Sequence, residues 1–63
     1  MKSMSSAAID RLIVRIEKRQ ARLDEAGREK FTNLVNFFRS AGSLDAQKEL
    51  HLRQIAAACG ANP

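Results

Sequence analysis

The clearest period in the chain lies in the run 6–26, SAAIDRLIVRIEKRQARLDEA. At about 100° per residue, Ile9, Leu12, Ile13, Ile16 and Leu23 share one face of a helix. Arg11, Arg15, Lys18 and Arg22 gather within about 60° of one another, roughly opposite that face. The pattern predicts a first helix over 6–24, apolar inside and basic outside. Residues 1–5 read as a disordered lead, with Ser5 or Ser6 able to accept a hydrogen bond from a free amide of the first turn. Between Leu23 and Gly27 two readings stay open. Either Gly27 ends the first helix in a left-handed conformation, or Asp24 caps the second, with Glu25 in its first turn.

Phe31, Leu34, Val35 and Phe38 follow the i, i+3, i+4, i+7 spacing of an amphipathic helix and predict a second helix over 26–41. This is the strongest core signal, and it makes the second helix the expected centre of the fold, covered by the first. Phe37 lies about 100° round the axis from Phe38, at the edge of the apolar stripe. Gly42 is free to take positive φ, and Ser43 is available as an N-cap, so a tight turn is expected there. A third helix over 44–59 then places Leu44, Leu52, Ile55 and Cys59 on one face, ends at Gly60, and leaves Leu50 on the far side. The heptad-like Ile9, Ile13, Ile16 meets Gln20 and is too short to predict a coiled coil. Few β-branched residues and no Trp or Tyr leave little to favour strands. The fold class is all-α: one three-helix domain over 6–63 with short turns.

At 63 residues, stability is the constraint. A chain this short buries only about 60% of its unfolded surface, and small folds gain from association, so a homodimer is expected. The single Cys59 excludes an intrachain disulfide, and one His beside one Cys is too few for structural zinc. His51, at the margin of the third helix's apolar face, reads as exposed or satisfied, and Cys59 as a small buried hydrophobe. No spacing forms a catalytic triad, so no enzyme, metal or cofactor is expected. The longest run of large aliphatics, Leu12 to Val14, excludes membrane insertion, and the N-terminus lacks a secretory core. A free thiol without an export signal implies a reducing, cytoplasmic setting.

A formal charge of +4 and a pI near 10 favour acidic partners. Along the first helix, Arg11, Arg15, Lys18 and Arg22 stand four, three and four apart, where like charges repel. Arg11, Arg15, Lys18 and Arg19 have no acid three or four positions away. In the third helix Asp45 precedes Lys48 and Glu49 precedes Arg53 at pairing distance. The contrast marks Arg11, Arg15, Lys18, Arg19 and Arg22 as a basic binding face, with Phe37 and Leu50 as an apolar interface. The leading expectation is a small regulatory interaction module, adaptor- or inhibitor-like, docking on an acidic protein through that apolar surface. A DNA- or RNA-binding regulator using the basic face for phosphate contacts is the alternative, and a helical oligomerisation piece the second.

The stretch 52–63, LRQIAAACGANP, resembles the first helix and turn of helix-turn-helix DNA-binding domains, with Ala56 at the small packed position and Gly60 at the turn glycine. In that family a recognition helix starts where this sequence reaches Pro63, so the resemblance gains weight only if the chain is a fragment of a longer one; the plainer reading is an alanine-rich helix end closed by a glycine. Placing Gly42 at the turn instead puts Phe38 at the small position and Lys48 at an aliphatic one, a poorer fit. No family is assigned on these few residues.

Overall fold

At three points an apolar residue precedes a short side chain whose oxygen caps a helix: Met4-Ser5, Leu23-Asp24 and Leu44-Asp45. Each pair starts a helix. In the computed structural model, which describes residues 4–61, α1 spans Ser6–Glu17, a 3-10 turn Gln20–Arg22, α2 Glu25–Ala41 and α3 Ala46–Cys59. The described residues contain no strand. Ser5 Oγ accepts from the Ala8 N–H at 3.1 Å, Asp24 Oδ1 from Gly27 at 2.7 Å, and Asp45 Oδ1 from Lys48 at 2.8 Å. Each satisfies an amide that the helix start leaves without a partner. Just ahead of the caps, Leu23 and Leu44 are buried, and Met4 packs against the core.

These starts move several expected boundaries. α1 stops at Glu17 rather than running to 24, because Gln20 would fall on its buried stripe in a continued helix. The chain tightens instead, with Arg19 N–H on Ile16 O at 2.9 Å and Leu23 N–H on Gln20 O at 3.0 Å, and Leu23 reaches the core from extended backbone. Gly27 lies inside α2 and ends nothing; a Cβ there would stand 3.1 Å from Asp24 Oδ1, so glycine leaves room for the cap. α3 starts at Ala46 behind Asp45, not at Leu44 behind Ser43, which frees Leu44 to drop inward. The expected lead is ordered at its inner end. Met4 N–H donates to Glu49 Oε1 at 2.6 Å and Ser6 Oγ–H to Gly42 O at 3.0 Å, while residues 1–3 lie outside the described residues.

Both helix ends that turn on glycine do so in the left-handed region. Gly42, at φ 78°, donates to Phe38 O at 2.7 Å. At the end of α3, Gly60 (φ 76°) donates to Ala57 O at 3.4 Å and Ala61 to Ala56 O at 2.8 Å, the paired bonds of a Schellman motif.

The centre of the fold is α3, not α2, since α3 packs on α1, on α2 and on the 3-10 turn. Its Leu52 and Ala56 are wholly buried and Cys59 nearly so. α2 contributes the buried Phe31 and Leu34, while Val35 and Phe38 are only partly covered. Glu49 also faces inward, 4% exposed. Its carboxylate takes the Met4 amide and forms no ion pair with Arg53, whereas Asp45 and Lys48 do pair, at 3.2 Å. The radius of gyration, 10.6 Å, is that of a folded chain of this length. Among the described residues no helix is long and apolar enough to cross a membrane.

This arrangement separates the two leucines of α3. Truncating Leu52 to alanine leaves a cavity at the hub and is expected to cost about 2–5 kcal/mol. Leu50→Ala, at a half-exposed position, is expected to change stability by less than about 0.5 kcal/mol. Urea unfolding of both variants beside the parent chain reads the difference; equal losses would remove α3 from the centre.

Candidate functional site

The basic residues fall on two different pieces of backbone. Arg11 and Arg15 project from α1, Lys18 is its C-cap, Arg19 precedes the 3-10 turn, and Arg22 is the last residue of that turn. Arg11, Arg15, Lys18 and Arg22 are exposed and Arg19 is half-buried. On the α1 surface the acids Asp10 and Glu17 stand at least about 80° round the axis from Arg11, Arg15 and Lys18, so the two signs occupy separate flanks. None of the five cations has a carboxylate within ion-pair distance; among the described residues the one ion pair is Asp45–Lys48. Arg19 is partly committed, since its Nη1 donates to Arg15 O at 3.3 Å over the carbonyl end of α1. The rail expected along one straight helix is therefore a bent one, carried round the corner by the 3-10 turn.

The corner leads somewhere. The Arg22 guanidinium lies over Gly60, its Nη1 3.1 Å from where a Cβ would stand, beside the carbonyl end of α3, where a cation is favoured. From there an open cleft of about 430 Å³ runs between α2 and α3. Its rim carries Arg22, Lys30, His51 and Asp24, and its wall and floor Gln54, Leu23, Ile55 and Ala58. A neighbouring hollow of about 250 Å³ shares Lys30 and His51 and extends to Lys48. Sequence reasoning gave Lys30 no role and set His51 aside, because residues on two different helices have no spacing that relates them.

The two apolar candidates do not form one surface. Phe37 is 42% exposed and Leu50 51%. The Lys48 ammonium sits 4.6 Å from the Phe37 ring centroid, so a cation covers the exposed ring, a contact worth about 0.5–1 kcal/mol at the surface. Lys48 and Leu50 point about 160° apart around α3, which puts Leu50 on the side away from Phe37. Around Leu50 the exposed neighbours along the helix are Ala46, Gln47, Gln54 and Ala57, so it stands in a mixed rather than an apolar surface.

Cys59 is buried, its thiol donating to Ala56 O at 3.6 Å. Among the described residues no three His, Cys, Asp or Glu side chains come together as a metal site requires. At the end of α3, Ala56 is buried and Gly60 turns the chain, the positions the helix-turn-helix resemblance gives them; the residues after Ala61 are outside the described ones. Comparisons with family models, with curated proteins and with solved structures found no match to this chain.

Asp45 holds the lysine that covers Phe37. The Lys48 backbone amide and then the Lys48 ammonium, 3.2 Å away, hold its carboxyl below the ordinary aspartate value. A lowered folded pKa means that Asp45 stabilises the fold above the unfolded value, about pH 4, and that this is lost as pH falls through the folded value. In Asp45→Asn the backbone cap is kept and the charge removed. Urea midpoints measured from pH 6 down to pH 2 should show parent and variant converging below about pH 4; parallel curves would deny Asp45 that role.

Proposed function

We propose that this chain is a small binding protein rather than a catalyst, and that its basic face takes the phosphate backbone of a nucleic acid. The observation that carries the reading is the set Arg11, Arg15, Lys18 and Arg22, exposed together with no carboxylate paired to any of them. In isolation such neighbours repel at about 0.2–0.5 kcal/mol per pair, and a row of phosphates supplies the missing counter-charge. Contacts of this kind fix position on the backbone and carry no sequence information. Arg19, half-spent on the α1 carbonyl end, is the least available of the five. A cytoplasmic setting, where nucleic acid is present and Cys59 stays reduced, fits this role.

Docking on a protein loses much of its apolar support, because Phe37 lies under Lys48 and apart from Leu50. Leu50, half-exposed among Ala46, Gln47, Gln54 and Ala57, favours one version of it as a second reading. In that version the outer face of α3 receives an acidic protein partner, adaptor- or inhibitor-like, or a second copy of the chain as a homodimer, with the basic face steering the encounter.

Fluorescence anisotropy with labelled nucleic acid across a salt series tests the first reading. Four or five phosphate contacts give a slope of log K against log salt of about −4 on duplex DNA and about −3 on a single strand. Charge reversal in Arg15→Glu/Lys18→Glu is expected to abolish binding. A slope near zero, or binding that survives the reversal, moves the α3 face to first place, and sedimentation of the same samples then reads the homodimer.

A further inference from the structure

Resting on the phosphate reading above, we infer that the cleft between the 3-10 turn, α2 and α3 is a pocket for one unpaired nucleotide, which makes single-stranded nucleic acid the preferred ligand. The two features share a residue. Arg22 ends the row of cations that starts at Arg11, and it also forms the rim of the cleft. Arg11 and Arg15 stand on α1 and Lys18 caps it, four residues ahead of Arg22, and at the cleft Lys30 on α2 supplies a second cation beside Arg22. The acid of the lining, Asp24, has Oδ1 occupied by the Gly27 amide at 2.7 Å, and Arg22 and Lys30 outnumber it there, so the mouth remains suited to a phosphate.

Inside, the chemistry changes from charge to surface. Leu23 and Ile55 are buried residues whose edges, with exposed Ala58, give an apolar floor. A base offers a matching flat apolar face only when it is unstacked; in a duplex its faces are covered by its neighbours and only its edges show. His51 adds a planar ring at the rim, and the Gln54 carboxamide offers a donor and an acceptor to a base edge. The volume, about 430 Å³, lies within the range of small-ligand pockets, about 300–1,000 Å³. No arrangement of a stacked duplex places a base face on that floor.

The test compares three labelled probes by anisotropy at low salt: a short oligothymidine, a backbone of the same length with abasic sites, and a duplex. The oligothymidine is expected to bind roughly fivefold or more tighter than the abasic strand, the effect of seating one base. Ala58→Leu fills the cleft from an exposed helix position and removes no cation, and should bring the oligothymidine down to the abasic level without altering the salt slope. Equal binding of oligothymidine and abasic strand by the parent chain overturns the nucleotide pocket and leaves the phosphate reading intact; it requires no variant to fold. Binding of none of the probes overturns the phosphate reading and the pocket with it.

Discussion

One helix surface has to serve three neighbours, and the rest of the structure depends on how α3 meets that demand. Leu52 is buried at the middle of the face, the smaller Ala56 and Cys59 continue it toward the C-terminus, and α1, the 3-10 turn and α2 all pack on this helix. Side chains of that size let backbones come close without leaving a void. The approach angles are then fixed at the helix starts rather than in the core. Leu23 and Leu44 point inward, and the Asp that follows each one begins a new helix in a different direction.

Those same starts shape the electrostatics. Three of the seven acids, Asp24, Asp45 and Glu49, accept backbone amides, so their charge is spent on holding the chain in place. Asp10 and Glu17 occupy the flank of α1 away from its arginines. The basic face is bare because no acid is paired with its cations: three of the seven hold backbone amides elsewhere and two lie on the other flank of α1.

The periods of α1 and α2 were legible because Ile9, Leu12, Ile13 and Ile16, and then Phe31 and Leu34, gather most of the large apolar groups on one side, with Val14 and Phe37 left outside. α3 hid its role. Its buried face includes Glu49 and Ala56 while Leu50 stands outside, so the helix with the most neighbours has the weakest apolar pattern. The end of α1 was also written in the chain, at Gln20, whose polarity on a buried stripe matters more than the good helix formers around it. Of the candidate site, the cations could be read from spacing, since the lack of acids three or four positions away is a local property. The cleft could not: Arg22, Lys30 and His51 meet only because α2 folds back along α3. Nor could the cover that Lys48 places over Phe37, a contact between two helices.

The bend between α1 and α2 ties occupancy to survival of the fold. The relative placement of Lys18 and Arg22 depends on the chain turning at Arg19 and on Leu23 being held in the core. The unfolded chain has the same charges but no array. Any ligand that recognises the array therefore draws the population toward the folded form by mass action, by about 2.7 kcal/mol when its concentration is a hundredfold above Kd. In a domain of this size that is a large share of the whole stability, so the fraction bound and the fraction folded behave as a single equilibrium.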